Sequence, residues 1–420
     1  MNEFVCSVVI PSCNRAAKLE LLLAALATQD TAAPFEVIVV LDGSTDDSKA
    51  VLSTWEQLGA FASLRWCEQT RQGQAIARNT GSFLPRAPIL LFLDDDVIPD
   101  PDLITVHLAH HATGDRIVVL GDCEVIRTSS KSLAELAMWM WWEDTNHRRS
   151  AAWQPPSYRD FCTGNLSLRR EDFALVGGFD QDFTGYGRED YELGYRLLRS
   201  GVRFVADRGA RARHYNTATL RGMCAAARQE AHGDVLIAMK HPELVSGLRL
   251  SATEGLRTRI AAGLAMFAPW LGVTVCFFMR GKTRIAEKLR LRRRWRAGVD
   301  FMWAYSYYRG LHDRLGSVQS LRALKGTGVA HPPQQVDVRR PLPPQVAQLE
   351  IDVPSSLVIL FDGRPVGRLD LKPNLMEPML AWLLREICVH LSREILAEVA
   401  RAALSEVPDV LQLPTFLDPR

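Results

Sequence analysis

Short apolar runs alternate with amphipathic segments along the first hundred residues of the chain. Four of these runs have the length of buried strands: 4–10, 35–41, 63–67 and 88–93. The segments between them have the spacing of helices: 16–29, 45–58 and 72–84. Strands that alternate with helices predict a parallel sheet covered by helices on both faces. We expect further strands at 116–126, 163–168 and 203–206.

A long uncharged stretch marks a change of pattern in the second half of the chain. Residues from about 219 to 330 have a helical pattern, and 260–279 carry no charge over 20 positions. This length reaches the roughly 20 residues that a membrane span needs, but Pro269 interrupts the stretch. Segment 280–296 then adds nine Lys or Arg residues against one Glu. We expect the region to form a pair of helices that lie on an anionic membrane surface, with a single span or a buried helix as alternatives.

The C-terminal part of the chain has the pattern of a small α+β module. A Pro- and Gln-rich linker precedes two alternating runs within 349–371, separated by Asp362-Gly363, a hairpin signal. An amphipathic helix is expected at about 377–404. The predicted organisation is an α/β domain at 1–235, a helical basic region at 236–330, the linker at 331–348 and the module at 349–420.

Composition limits the classes of protein to which the chain can belong. Its 420 residues are 47% apolar and 23% charged, which allows a large core and two or three domains. Lys and Arg total 50 and Asp and Glu total 48, so bulk charge does not suit a nucleic-acid binder. The eight cysteines form no C-x-x-C pair, which argues against a zinc ribbon and favours a reducing compartment. The first residues do not have the pattern of a secretory signal.

Polar clusters follow three of the predicted strands, at 11–15, 42–46 and 94–96. Open parallel sheets bind ligands at the carboxyl ends of their strands. Asp94 and Asp96 are two positions apart, so in an extended segment both can face one site. With phosphate oxygens they would suit Mg²⁺ or Mn²⁺. The alternatives are a solvated turn at 94–96 and a turn with a helix N-cap at 42–46.

Segment 161–193 carries further candidate residues. Gly164-Asn165 precedes a predicted strand, and Glu189-Asp190 begins a helix. The helix dipole favours acidic residues at that position, but an Asp beside a loop can also act as a general base.

Histidines give weaker signals. His214 could complete a metal site with Asp96, or it could be an ordinary surface or core residue. His107 and His111 have the i, i+4 spacing of a zinc-binding pair. Because no third ligand is evident, we assign that pair no role.

An ordered set of motifs runs through the first half of the chain: VVIPSCNR at 8–15, VVLDGSTDDS at 39–48, GQAIARNTG at 73–81, FLDDDVIPDP at 92–101, GN at 164–165, GGFD at 177–180, GREDYELGYRL at 187–197, and His214. This set resembles the family 2 glycosyltransferases of the GT-A fold, a doubly wound, mostly parallel sheet. The resemblance covers roughly residues 4–235. One departure is Leu41 before Asp42, where many members of the family have a second Asp.

The resemblance implies an inverting, metal-dependent hexosyltransferase that uses a nucleoside-diphosphate sugar, with UDP as the expected nucleotide. The implied donor contacts are Pro11, Asn14, Asp42, Arg78 and Asp94. The implied ligands of Mn²⁺ or Mg²⁺ are Asp96 and His214, and the implied general base is Asp190, with Glu189 beside it. The expected acceptor contacts are Gly164, Asn165 and Trp142, although Trp142 can equally pack in a core.

The expected acceptor is a hydroxyl group of a glycan, a lipid-linked sugar or another molecule, at the cytoplasmic face of a membrane. A nucleotidyltransferase is disfavoured, because PSCNRAAK at 11–18 contains no glycine. A non-catalytic nucleotide-sugar-binding scaffold is the other alternative. It would not need both Asp96 and Asp190.

Overall fold

The structure is a computed structural model of the chain. The structure describes residues 4–126, 132–149, 156–215, 219–251, 255–328, 334–342, 345–346, 349, 356–370, 383–384 and 386–405. Contacts divide the chain into two compact units, 1–329 and 330–420.

The first unit is built on a mixed sheet that has eight strands among its described residues. The strands are β1 (Cys6–Ser12), β2 (Phe35–Asp42), β3 (Leu64–Gln69), β4 (Ile89–Leu93), β5 (Val97–Pro99), β6 (Ile117–Val125), β7 (Asn165–Arg169) and β8 (Arg203–His214). Their order across the sheet is β3-β2-β1-β4-β7-β6-β8-β5. The strands β3, β2, β1 and β4 are parallel, as are β6 and β8, whereas β7 is antiparallel to both of its neighbours and β5 to β8.

The helices of this unit cover the sheet and then continue beyond it. They are α1 (Ala16–Ala27), α2 (Ser48–Leu58), α3 (Gln74–Phe83), α4 (Leu103–His111), α5 (Leu133–Arg149), α6 (Arg170–Leu175), α7 (Glu189–Arg199), α8 (Leu220–Lys240), α9 (Leu256–Phe267), α10 (Pro269–Lys288), α11 (Arg292–Leu315) and α12 (Val318–Gly326). Helix α11 packs against α8, α9 and α10.

Three of the four apolar runs predicted as strands form β1, β2 and β4 in the interior of the sheet, whereas the run 63–67 forms the edge strand β3. Every residue of β1 and β4 is buried, as expected for strands covered on both faces. The β1–β2 register pairs Ser12 with Leu41, so both strands end at the same edge. That edge receives the polar residues that follow β1, β2 and β4, because these three strands run in the same direction.

The uncharged stretch 260–279 forms parts of two helices and is not a single segment. Helix α9 ends at Phe267, Ala268 has a non-helical backbone (φ −140°), and Pro269 is the first residue of α10. Proline is favoured at a first helical position because its missing N–H has no intrahelical partner there. Across the described ranges, no helix combines the length and apolarity needed to cross a membrane.

The second unit contains a small sheet with the order β11-β10-β9. Its strands are β9 (Gln334–Asp337), β10 (Ser356–Phe361) and β11 (Arg364–Asp370), and helix α13 (Ser392–Ser405) follows them. The predicted hairpin at Asp362-Gly363 is confirmed, with both residues at positive φ between two antiparallel strands. Residues 377–382 and 385 of the predicted helix lie outside the described part of the chain.

The contact of α3 with the sheet depends on a glycine. A Cβ atom at Gly81 would lie 2.6 Å from Val9 Cγ1 and 3.2 Å from Val40 Cγ2. We predict that Gly81→Ala lowers the free energy of unfolding by about 1–3 kcal/mol, because it overpacks this contact. Gly263→Ala in α9 is the matched control. Its Cβ would meet no atom within 4 Å, and helix propensity predicts a gain of about 0.5–1 kcal/mol. Urea unfolding measures both, and equal effects of the two substitutions would contradict the packing argument.

Candidate active site

Three consecutive carboxylates follow β4, and the first two have different partners. The carboxylate of Asp94 accepts a hydrogen bond from Arg78 Nη2 at 2.7 Å. The carboxylate of Asp95 accepts hydrogen bonds from Ser12 Oγ at 2.8 Å and from Arg15 Nη1 at 2.9 Å. Asp95 is buried and ties β4 to the end of β1, whereas the side chain of Asp94 is 28% exposed. Asp94 is therefore the one of this pair that a ligand can reach.

Asp96, the third carboxylate, lies among cationic and imidazole groups. Its partners are Arg15 Nη1 at 2.6 Å, Lys18 Nζ at 3.2 Å and His214 Nε2 at 3.2 Å. Burial alone would raise the pKa of Asp96, but the hydrogen bond and charge of His214, with Arg15 and Lys18, hold that pKa well below its usual range. Asp96 is therefore ionised at neutral pH.

Asp96 and His214 have the donor chemistry of a divalent-metal site. A carboxylate oxygen and an imidazole nitrogen suit Mn²⁺, and Nδ1 of His214 is a buried polar atom without a hydrogen-bond partner among the described residues. Nowhere in the described part of the chain do three or more His, Cys, Asp or Glu side chains form a group arranged to hold a metal. The residues present fit a metal that is held partly by the protein and partly by phosphate oxygens of a ligand.

Arg78 joins two acidic motifs that are distant in sequence. Its guanidinium donates to Asp94 at 2.7 Å and, through Nη1, to Glu189 Oε1 at 3.2 Å. The side chain is 2% exposed and lies 5.6 Å from the centre of the Phe179 ring. The nucleotide contact that the resemblance implies for Arg78 stays a prediction. The contacts formed here are those of a residue that holds two carboxylates in place.

Asp190 lies directly after this ion pair, in the first turn of α7. It is half-buried, and its Oδ1 accepts a hydrogen bond from the backbone N–H of Tyr191 at 2.8 Å. Burial, together with the charge of Glu189, raises the pKa of Asp190 to about 7. Glu189 itself is 3% exposed and paired with Arg78. Of the two acidic residues, Asp190 is therefore the one suited to take up a proton near neutral pH.

Asp42, at the end of β2, fixes the loop that precedes α3. Its carboxylate accepts hydrogen bonds from Gln69 Nε2 at 2.8 Å and from the backbone N–H groups of Gln72 and Gly73 at 2.7 and 2.9 Å. A carboxylate has about four acceptor positions, so one remains for a further donor. The predicted contact with a nucleobase N–H stays a prediction that this geometry permits.

Asn14 connects the loops that follow β1 and β2. Its Oδ1 accepts a hydrogen bond from the backbone N–H of Thr45 at 2.7 Å, and its own backbone N–H donates to Ser44 Oγ at 3.2 Å. The backbone of Asn14 is left-handed (φ 54°), a conformation that asparagine tolerates better than most residues. Pro11 is buried within β1, opposite Val40. Both residues lie at the edge of the sheet where β1 and β2 end, and their predicted nucleotide contacts stay predictions.

The predicted acceptor residues differ in what they can contact. Asn165 is buried, and its amide group is fully engaged: Nδ2 donates to the carbonyl oxygens of Asp122 and Ala210, and Oδ1 lies 2.9 Å from His107 Nε2. Both amide hydrogens of Asn165 are thus used within the protein, and its predicted contact with an acceptor stays a prediction. Gly164 lies beside Asp94, where a Cβ atom would come within 3.1 Å of Asp94 Oδ2.

Trp142 is a core residue in this structure. It is 8% exposed and belongs to the main apolar cluster of the first unit. Its ring meets that of His214 edge-on, with 5.6 Å between the centres. Packing in a core was the alternative expectation for Trp142. A ring that is buried in this way has no room for a sugar against its face.

Sequence reasoning assigned no role to Arg15 or Lys18, although both point at the carboxylates after β4. They lie three positions apart, around the first turn of α1, and that spacing places two cations on one face at a strand end. His107 and His111 hold Ser167 Oγ between them at 2.8 Å each, and burial lowers the pKa of both rings to about 4. These histidines form a buried polar network with Ser167 and Asn165.

Two family models match this part of the chain. Residues 7–177 match the model of glycosyl transferase family 2, and residues 147–219 match a model described as the N-terminal domain of galactosyltransferase. The chain contains a family 2 glycosyltransferase domain. The two matched ranges together hold the three carboxylates after β4, Arg78, the Glu189-Asp190 pair and His214.

Curated relatives share this domain at moderate identity. Validoxylamine A glucosyltransferase of Streptomyces hygroscopicus subsp. jinggangensis is 37% identical over an alignment of 242 residues, and the match covers 50% of this chain and 56% of that protein. Chondroitin synthase of Escherichia coli is 27% identical over an alignment of 237 residues, and the match covers 50% of this chain and 34% of that protein. The chain thus spans about half the length of the first of these relatives, and less of the second.

A solved structure is also similar to this chain. It is a mannosyltransferase from Pyrobaculum calidifontis in complex with GDP-Man and Mn²⁺, at 19% identity and a TM-score of 0.47. The match covers 72% of this chain and 86% of that one.

Removal of Arg78 should destabilise the domain strongly. We predict that Arg78→Ala lowers the free energy of unfolding by about 3–5 kcal/mol, because Asp94 and Glu189 lose their shared cation and Glu189 is buried. Arg203→Ala breaks an exposed ion pair with Asp115 and should cost about 0–1 kcal/mol. Chemical denaturation of both variants measures the difference, and a cost below 1 kcal/mol for Arg78→Ala would contradict the linking role.

Proposed function

We propose that this protein transfers a hexose from a nucleoside-diphosphate sugar to an acceptor hydroxyl, with inversion at the anomeric carbon. The single observation that carries this proposal is the buried Arg78, which bonds both Asp94 and Glu189. Through it, the donor-side motif after β4 and the base motif at the start of α7 meet at one site. Separate donor and base motifs have no use to a protein that only binds nucleotide sugars.

Asp190 would act as the general base. It would accept the proton of the acceptor hydroxyl while that oxygen attacks the anomeric carbon from the face opposite the leaving diphosphate. A single displacement assisted by one carboxylate inverts the configuration, by the same geometric reasoning that applies to glycoside hydrolysis. Glu189, held by Arg78, would fix the first turn of α7 and thereby the direction of the Asp190 side chain.

Asp96 and His214 would hold Mn²⁺ or Mg²⁺ together with the donor diphosphate. The ion would supply a positive charge that stabilises the negative charge developing on the leaving group. Asp94 would accept a hydrogen bond from the donor ribose, and Asp42 one from the nucleobase. Arg15 and Lys18, which contact Asp96 here, would add positive charge beside the phosphates.

A UDP-linked hexose is the donor that we propose, and a hydroxyl of a glycan or a lipid-linked sugar is the acceptor. The relatives named a glucosyltransferase and a chondroitin synthase support hexosyl transfer as the reaction class. The proposed site of action is the cytoplasmic face of a membrane.

The surface of α9 and α10 supports the membrane part of the proposal. Large apolar side chains on these two helices are 62–76% exposed: Phe267, Trp270, Val273, Phe277 and Phe278. The C-terminal half of α10 and the residues that follow it are strongly basic. An apolar face bordered by Lys and Arg has the chemistry of a helix lying on an anionic lipid surface.

Substitution of the base should separate binding from turnover. We predict that Asp190→Asn lowers kcat by about 10²–10⁴-fold and leaves donor affinity within about twofold, because the amide cannot accept the proton. Asp182→Asn, at an exposed carboxylate, is the matched control and should keep wild-type turnover. Donor affinity is read by calorimetry, and turnover by release of the nucleotide. Full activity of Asp190→Asn would exclude this residue as the base.

The pH profile should follow the ionisation of Asp190. Its pKa is raised to about 7, and only the ionised carboxylate accepts a proton. We therefore predict that kcat/KM rises with pH through about 7 and levels off above it. A rate already constant from pH 5 would contradict the assignment.

Membrane binding should depend on the apolar face of α10. We predict that the double substitution Trp270→Asp and Phe277→Asp lowers partitioning onto vesicles rich in phosphatidylglycerol by at least about tenfold, since each large side chain contributes roughly 1.5–3 kcal/mol when buried. The matched control is Phe83→Asp on α3, where the side chain is 84% exposed but belongs to neither α9 nor α10. Vesicle flotation measures the partitioning. Equal binding by all three proteins would refute the proposed surface.

A further inference from the structure

A buried chain of polar contacts connects the helices beyond the sheet to the loop that carries the base. Asp234 of α8 is 1% exposed. Its Oδ1 accepts a hydrogen bond from Arg188 Nε at 2.6 Å, and its Oδ2 accepts one from the hydroxyl of Tyr307 at 2.5 Å. Asp234 and Tyr307 both lie beyond residue 219, where the matches to the family models end.

Arg188 is the residue that these contacts hold. It occupies the N-cap position of α7. Its backbone there is left-handed (φ 81°), a conformation that costs a residue with a Cβ atom about 1–2 kcal/mol. Besides Asp234, its guanidinium contacts Glu230 at 3.4 Å and lies 4.7 Å from the centre of the Tyr191 ring. The backbone of Arg188 leads directly into Glu189 and Asp190, so its conformation sets the start of α7.

Two glycines allow α11, α8 and the loop before α7 to pack closely against one another. A Cβ atom at Gly233 would lie 2.6 Å from the Cβ of Arg188, so α8 fits against the loop because this position has no side chain. A Cβ atom at Gly310 would lie 2.8 Å from the Cβ of Ala231, which shows the same close approach of α11 to α8. The contacts therefore run from α11 through α8 to the base loop without a gap.

We propose that Asp234 and Tyr307 are positioning residues for Asp190, which they serve by anchoring Arg188. This inference rests on the proposed function and adds α8 and α11 to the structure that the reaction requires. Asp234 supplies the charge that pairs with Arg188, and the hydroxyl of Tyr307 fixes the orientation of the Asp234 carboxylate. Tyr307 is itself fixed by parallel stacking on Trp303, with 5.4 Å between ring centres.

Loss of the contacts that hold Arg188 would change the pKa of Asp190 in a definite direction. Burial and Glu189 raise the pKa of Asp190, whereas the positive charges of Arg78 and Arg188 lower it. If Arg188 loses its anchor and moves away, the pKa of Asp190 rises further. The rise of kcat/KM with pH then moves to higher pH.

The test compares Asp234→Asn and Tyr307→Phe with Tyr305→Phe. The control removes a hydroxyl from the same helix, but that hydroxyl donates to the carbonyl oxygen of Pro269 at 2.8 Å and has no part in anchoring Arg188. We expect both test variants to lower kcat by about tenfold or more, since small misplacements of a catalytic group cost up to about 10²-fold. Donor affinity should stay within about twofold, and the pH profile should move to higher pH. Tyr305→Phe should match the wild type.

Hydrogen exchange of the backbone amides at 187–192 supplies a readout that does not require turnover. We expect faster exchange there in Asp234→Asn and Tyr307→Phe, and none of this change in Tyr305→Phe. Tyr307→Phe is conservative enough to keep the inference testable if Asp234→Asn does not fold. Wild-type kcat, pH profile and exchange in Tyr307→Phe would overturn the inference while leaving the proposed function intact. A wild-type protein without turnover would refute the proposed function, and exchange would still decide whether Asp234 and Tyr307 anchor the loop.

Discussion

The buried guanidinium of Arg78 is the interaction on which the site depends. It is 2% exposed and bonds carboxylates from two motifs, Asp94 after β4 and Glu189 at the start of α7. A charge at this depth is tolerated when it is paired, and the buried carboxylate of Glu189 needs the guanidinium for the same reason. The side chain of Arg78 therefore links the sheet edge to the start of α7.

Charge around this ion pair is divided between two groups of residues, for which we propose different tasks: donor binding and proton transfer from the acceptor. On the donor side, Asp96, His214, Arg15 and Lys18 place anionic and cationic groups together, which suits a diphosphate and a divalent cation. On the acceptor side, burial and Glu189 raise the pKa of Asp190 to about 7. Separate environments give similar carboxylates different proton affinities, and a transfer reaction needs that difference.

The sequence was sufficient to predict the central strands of the sheet but not the short edge strand β5. Strands β1, β2 and β4 follow from continuous apolar runs, because strands buried on both faces leave that pattern. Strand β5 has only three residues, Val97–Pro99, too few to show a period. Pro269 already indicated a break in the uncharged stretch 260–279, and the backbone at Ala268 and Pro269 shows where the two helices meet. Local patterns also could not show that Arg78 and Glu189, 111 positions apart, form an ion pair.

The measurement that tests the account most directly is a thermal-shift screen of the folded chain with UDP-, GDP- and TDP-sugars, each with and without Mn²⁺ or Mg²⁺. A ligand that binds only the native state stabilises it by about 2.7 kcal/mol at 100 times its Kd. The account predicts that a UDP-sugar raises Tm and that the rise requires the metal. If no donor raises Tm in protein that circular dichroism shows to be folded, the site does not bind a nucleotide sugar and the proposed transferase activity is wrong.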